Sequence, residues 1–415
     1  MNALEKIAQK SKAASRITAG MPDSLKKAAL LKAARALVEN EGPILKANEK
    51  DVKNSRKKNY AAALVDRLTL NSKRVGDMAR GVEEIAALPD PCGETVSEWV
   101  NRDGVKIRKV RVPLGVIAMV YESRPNVTVE SAALCLKAGN SVILRGGSEA
   151  IHSNTALSQI FSRAIAEAGV PKDAVLMITD TDRNNIYELS QMDSSIDLMI
   201  ARGSETMVRE IKKRATVPVL GHGKGVCHVY VDKDADLKMA EEIAFNSKVQ
   251  RPGVCNAMES LLVHKDVAKN FLPAMGARYE KAGVAIKGDP AARGFLPGIG
   301  KATEKDWPTE YLDLALSLKV VDSLQGAVEH INRYGSGHTD VIVTENGPSA
   351  EEFLKKVDSA AVFHNVSTRM HDGGVFGLGA EIGISTQKLH ARGTMGIREL
   401  TTTKYVAAGS GQIRK

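Results

Sequence analysis

The stretch GVIAMVYESRPNVTVESAALCLKAGNSVILRG, residues 115–146, decides the fold class. Gly115 to Tyr121 is an uninterrupted apolar run of strand length, Val127 to Lys137 has helical spacing, and Ser141 to Leu144 is apolar again. A strand without polar alternation expects burial on both faces. Strand–helix–strand order then makes the two strands parallel members of one sheet. The pattern extends outward: Glu149 to Ala168 reads as a long helix, and Val175 to Ile178 and Ile196 to Ala201 as further strands. The expectation is α/β, a parallel sheet covered on both faces.

A second series begins after Lys224. Val226 to Val231 and Ser260 to Val263 read as strands around a helix at Ala235 to Asn246, and Leu316 to Val321, Val341 to Thr344 and Ala360 to Phe363 continue it. Upstream, Pro22-Asp23-Ser24 starts a helix in which Leu25, Ala28, Leu31, Ala34 and Val38 recur, with Gly42 placed to end it. A second helix follows to Asn59. Glu94 to Val100 and Val105 to Val112 are half-polar strands around Asn101-Arg102-Asp103-Gly104, a hairpin signal. Its edges are a liability that pairing with another subunit would cover. From Lys388 the chain is Gly-rich, then β-like through Thr401 to Val406.

With 415 residues, two large domains are expected. No stretch reaches the roughly 18 uncharged apolar residues of a membrane span. The segment Met1 to Gly20 lacks the apolar core of a signal peptide, so a cytoplasmic protein is expected. The net charge of +9 is dispersed and only 4% of residues are aromatic, which argues against nucleic acid and suits phosphate-bearing substrates. The one dense basic run, Lys46 to Lys58, reads as the solvated face of a helix. Four cysteines without CxxC spacing, and nine histidines without an HxxxH pair, give no disulfide framework and no metal site.

Among the cysteines, Cys135 and Cys227 lie in apolar helix and strand contexts and read as core residues, and Cys92 lies in a loop without an evident partner. Cys255 follows Gln250-Arg251-Pro252-Gly253-Val254 between a helix and a strand. A loop there presents a thiol to a cleft with the Arg251 cation nearby, although the spacing by itself favours an ordinary loop cysteine. Gly221-His222-Gly223-Lys224-Gly225 mimics a dinucleotide fingerprint, yet it lies between two strands and opens no helix. Arg145-Gly146-Gly147-Ser148 has the better context, after a strand and before a helix, with Ser148 as N-cap. Its amides and Arg145 suit a phosphate, or the segment is a plain turn. Gly203-Ser204, ahead of the helix Glu205 to Arg214, poses the same choice.

Arg111-Val112-Pro113-Leu114-Gly115-Val116-Ile117, Leu220-Gly221-His222-Gly223-Lys224 and Cys255 together resemble the aldehyde dehydrogenase superfamily. Within it the resemblance is nearest to the branch that reduces γ-glutamyl phosphate. Four stretches carry it: Tyr121 to Val127, Arg251 to Glu259, Arg333 to Asp340, and Phe376 to Thr386 with His390 to Gly393. The resemblance implies two Rossmann-like parallel-sheet domains plus a β-hairpin oligomerisation element. An NADP-binding domain is implied over 1–95 and 113–224, and a catalytic domain over 225–387. The oligomerisation hairpin and C-terminal strand are implied over 96–112 and 388–415. It also implies a homo-oligomer, dimer or tetramer, with channelling of the acyl phosphate from glutamate 5-kinase.

The implied reaction is L-glutamyl 5-phosphate plus NADPH to L-glutamate 5-semialdehyde, phosphate and NADP, the second step of proline biosynthesis. Cys255 is the implied nucleophile, through a thioester. Its backbone N–H with Arg124 or Asn126 would hold the oxyanion, and Arg124 has a second possible role on the phosphate or the α-carboxylate. Arg145, Gly146, Ser148, Gly203, Ser204 and Glu310 are the implied cofactor residues, Glu310 on the nicotinamide ribose. Arg251, Asn256, Asn365, Thr368 and Arg369 are the implied substrate residues. Two departures sharpen this. The glutamate that activates water in hydrolytic relatives falls on Leu220 or His222 here, and neither is a carboxylate, so phosphate and not water should exchange with the thioester. An acidic ribose ligand is missing at Ser148, which with Arg145 favours NADPH over NADH, although Glu149 follows directly. A hydrolytic semialdehyde dehydrogenase of the same fold is the rival reading. What lowers the Cys255 pKa, His222 or a helix N-terminus, stays open.

Overall fold

All six residues of strand Val116–Tyr121 and all six of Ser141–Gly146 are buried, so the apolar runs do become interior strands. Each fully buried Val, Ile or Leu among them contributes about 1.5–3 kcal/mol. The computed structural model describes residues 1–221 and 223–414. The chain forms two units: Met1–Gly221 with Gly377–Gly383 and Met395–Lys415, and His222–Phe376 with Ile384–Thr394.

In the first unit five parallel strands lie in the order Val175–Met177, Ser141–Gly146, Val116–Tyr121, Leu198–Arg202, Val219–Leu220. The chain builds outward from Val116–Tyr121 on one side, then returns to its other side at Leu198–Arg202. The loops that leave these two strands therefore part, which is where open α/β sheets bind ligands. Helices Asp23–Glu39 and Glu41–Lys57 are separated by Asn40 alone, so Gly42 does not end a helix; it lies in the first turn of the second one. The basic run falls on that second helix, which buries only Ile44, Asn48, Asp51 and Ser55. Helix Ala3–Thr18 was not evident in the sequence. An Asn2–Glu5 capping box starts it, but its buried face is largely small, carrying Ser11, Ser15 and Thr18 among its alanines.

Thr95–Val100, Lys106–Pro113 and Thr401–Ala408 form a separate three-stranded antiparallel sheet within the first unit. The Asn101 side chain accepts from the Asp103 and Val105 amides, and Gly104 takes φ +77°, a left-handed position that suits glycine. Trp99, Val100 and Tyr405 are exposed on this sheet, the two rings edge to face at 6.0 Å.

The second unit holds seven parallel strands in the order Gly300–Lys301, Ala285–Gly288, Ala315–Val321, Met258–His264, Cys227–Val231, Thr339–Val343, Ala361–His364. The first two escaped the sequence reading because they are short and carry Lys and Gly, and Gly300–Lys301 lies at the sheet edge. Helix Lys265–Lys281 packs Phe271, Leu272, Met275 and Tyr279 into a core with Val229, Leu261 and Leu318. Among the described residues no helix is long and apolar enough to cross a membrane.

Candidate active site

In the first unit the loops at the carboxyl ends of the strands are fixed by two carboxylates. Glu122 follows strand Val116–Tyr121 and accepts from the Ser204 amide at 3.0 Å, at the start of helix Glu205–Arg214. Burial pushes its carboxyl up. A Cβ at Gly203 would stand 2.4 Å from Met207 Cε and 2.8 Å from the Glu122 carboxylate, so a larger residue there requires these side chains to shift. Ser204 caps the helix through its hydroxyl, which accepts from Met207. Its amide already serves a carboxylate of the protein itself.

Glu149 Oε1 accepts from the Ser123 amide at 2.6 Å and from its hydroxyl at 2.9 Å. Ser123 sits at φ +52°, so this pair of bonds stabilises a turn that a non-glycine residue adopts at a cost. The turn delivers Arg124, Pro125 and Asn126, the last opening helix Asn126–Lys137 with its amide on Glu130 at 2.8 Å. Ser148 does not cap the next helix, as the sequence reading expected. Ser148 enters a 3-10 turn, Ser148–Ala150, capped by Gly147, and Ala150 is the cap of the helix Ile151–Glu167. Arg145 is buried, and its guanidinium donates to the carbonyls of Gly146 at 2.7 Å, Thr181 at 2.8 Å and Asp182 at 3.2 Å. Arg145 thus ties loops together, while exposed Arg183 interacts electrostatically with both Arg145 and Glu122.

In the second unit Cys255 lies in the half-buried turn between helix Leu237–Val249 and strand Met258–His264, at the amino end of the sheet. The Asn256 amide donates to the His371 carbonyl at 2.9 Å, and Ala257 N–H to Val254 at 3.0 Å. Gly225 presses against this turn so closely that a Cβ there would stand 1.9 Å from the Cys255 carbonyl oxygen. Its amide donates to Glu310 at 2.8 Å, and Lys224 Nζ to the Pro308 carbonyl at 2.9 Å. Glu310 is therefore one residue removed from the cysteine backbone. Behind it, fully buried Lys248 pairs with Glu259 at 2.9 Å and donates to Asp313 at 3.1 Å, while Glu259 accepts from Leu312 at 3.4 Å. This pair pins the Glu310 loop, whose Leu312 sits at φ +54°.

Arg369 is half-buried in the same unit, its Nε on Gln250 at 2.9 Å. Its guanidinium pKa is lowered first by burial and then by Arg251, and it also interacts with Asp372 and Cys255. Two arginines and the thiol thus share one electrostatic neighbourhood. Thr368 is buried beside it, its amide on Ser247 at 3.2 Å. Asn365 follows the strand Ala361–His364. Its side chain pairs with the Thr344 backbone, accepting from N–H and donating to C=O, both at 3.0 Å, at the carboxyl end of the sheet. That pairing satisfies a strand end.

The other thiols are unsuited to chemistry. Burial pushes Cys92 up to about 12, and Cys135 and Cys227 also well above their ordinary value, so all three stay protonated at neutral pH. None of the four cysteines is disulfide-bonded. Leu220 is buried at the end of its strand and supplies no carboxylate, and His222 lies outside the described residues. Among the described residues no cluster of His, Cys, Asp and Glu is arranged for a metal.

Known proteins match this chain along its length. The model of the "Aldehyde dehydrogenase family" matches residues 2–294. A relative from Moorella thermoacetica named "Gamma-glutamyl phosphate reductase" is 54% identical over 407 residues, 98% of this chain and 97% of its own. Another of that name from Caldanaerobacter subterraneus subsp. tengcongensis is 52% identical over 408 residues, 98% and 99% of the two chains. A crystal structure of gamma-glutamyl phosphate reductase from Thermotoga maritima superposes with a TM-score of 0.97 at 45% identity, covering all of both chains.

Proposed function

Because the chain belongs to the aldehyde dehydrogenase family, we propose that it performs the reaction its relatives are named for. It reduces L-glutamyl 5-phosphate to L-glutamate 5-semialdehyde with release of phosphate, the second step of proline biosynthesis. The observation that carries the reading at the site is the electrostatic interaction of Arg369 with both Arg251 and Cys255, two cations suited to phosphate and carboxylate within the field of the thiol.

Cys255 attacks the acyl carbon as thiolate. The C–O bond to phosphate breaks, phosphate leaves with the electron pair, and a thioester remains on the sulfur. The oxyanion is held by the Cys255 backbone N–H. A nicotinamide, the family's cofactor, supplies the hydride when bound. The resulting hemithioacetal collapses to aldehyde and returns the electron pair to the Cys255 sulfur. The close-set strand-end loops at Gly203 and Gly146 suit a dinucleotide, and Glu310, fixed by Gly225, suits the nicotinamide ribose.

We take the cofactor to be NADPH. Glu149 is engaged by Ser123, and Arg183 is the exposed cation at the same strand ends, where the sequence reading had placed Arg145. The exposed Trp99 and Tyr405 face supports a homo-oligomer built on the three-stranded sheet. Direct passage of acyl phosphate from the kinase that makes it would shorten the life of a labile substrate. With acyl phosphate generated in situ, NADPH oxidation should release one phosphate per turnover, and Cys255→Ala should abolish both. Turnover by Cys255→Ala would refute the thioester route.

A further inference from the structure

Behind the nucleophile turn the second unit carries a buried polar chain that the reaction above does not use. The Cys227 thiol donates to the Cys255 carbonyl at 3.2 Å, across 28 residues of sequence. Its sulfur also lies 3.7 Å from His338 Nδ1. His338 Nδ1 shares a 2.7 Å hydrogen bond with Thr339 Oγ1, which shares another of 2.7 Å with His371 Nδ1. The His371 carbonyl in turn holds the Asn256 side chain. Cys227, His338, Thr339 and His371 are all essentially inaccessible to solvent.

The geometry closes on itself. One end of the chain holds the Cys255 carbonyl, the other holds the side chain of the next residue, and Gly225 blocks movement on a further side. A planar trans peptide has few ways to turn once its carbonyl is fixed. Nucleophilic catalysis loses rate steeply when an attacking atom is displaced by as little as 1 Å. We propose that Cys227 is a positioning residue, whose S–H bond to the Cys255 carbonyl orients the nucleophile turn for attack, with His338, Thr339 and His371 as its backing. The proposal rests on the reading of Cys255 as nucleophile.

Because Cys227 is protonated, it is the donor in this bond. A serine at the same place keeps an O–H donor, whereas alanine keeps none. Cys227→Ala should lower kcat on the order of 10-fold while KM for both substrates stays within about twofold. Cys227→Ser should recover most of that loss. NADPH binding, followed by fluorescence titration, reports on the fold of each variant independently of turnover. Should Cys227→Ala fail that titration, Cys227→Ser and Thr339→Val, which interrupts the backing chain, are compared in its place by the same kcat and KM split. Wild-type kcat in Cys227→Ala, or in Thr339→Val when that variant stands in, would overturn the proposal, as would an equal loss in the serine and alanine variants. Cys255→Ala run in parallel separates the two readings. If it is inactive while Cys227→Ala is unimpaired, positioning alone fails; if it turns over, the nucleophile reading fails and the positioning goes with it.

Discussion

Replacing Lys248 with Met should destabilise the protein in a pH-dependent way that identifies Glu259 as the responsible group. The two side chains are fully buried and 2.9 Å apart. Burial pushes the Glu259 carboxyl up to about 7 against the charge and hydrogen bond of Lys248, which pull it down. Folded protein therefore binds this proton more tightly than unfolded chain does. Stability is lost as pH rises from the ordinary carboxylate range through the folded value, and for the wild type the loss levels off above about pH 7. In Lys248→Met the lowering influences vanish and the folded value rises further, so the loss continues into the alkaline range. The penalty relative to wild type should be smallest at pH 6. Above about pH 7 it should grow by up to about 1.4 kcal/mol per pH unit, towards the roughly 3–5 kcal/mol of a broken buried pair. Urea unfolding at pH 6, 7, 8 and 9 measures it, with Glu259→Gln as the background in which the trend should disappear. A penalty that is flat from pH 6 to 9, or that persists with the same slope beside Glu259→Gln, refutes the reasoning.

Gly225→Ala places a methyl group within 1.9 Å of the Cys255 carbonyl oxygen, so the turn must move. Steady-state assays should show kcat reduced about 100-fold, with a stability loss of about 1–3 kcal/mol by urea unfolding. Trp99→Asp puts a charge on the exposed face of the three-stranded sheet beside Tyr405. Light scattering after size exclusion should show a smaller assembly than the wild type, and an unchanged mass would remove this face from the interface.

The sheets were legible because their strands are buried on both faces, and such runs leave little else for Val116–Tyr121 or Ser141–Gly146 to be. What blurred the reading was local. In helix Ala3–Thr18 serine and threonine replace aliphatic residues on the packed face, so periodicity carries little contrast. Gly42 looked like a stop because glycine is costly inside helices, yet the chain had already broken at Asn40. Ser148 looked like a cap, but it lies inside a 3-10 turn that precedes the helix, next to a carboxylate bonded to Ser123, 26 residues away. Cys227 read as core filling, and it is buried, but its bond to Cys255 links residues far apart in sequence. No local pattern announces such a contact.

The central claim is that phosphate, and not water, exchanges with a thioester on Cys255. The most direct measurement runs the reaction backwards, following NADP reduction by glutamate semialdehyde with and without inorganic phosphate or arsenate. Turnover that requires one of the two anions and is lost in Cys255→Ala is the predicted result. Full turnover without either anion would mean that water resolves the thioester, and would contradict the account.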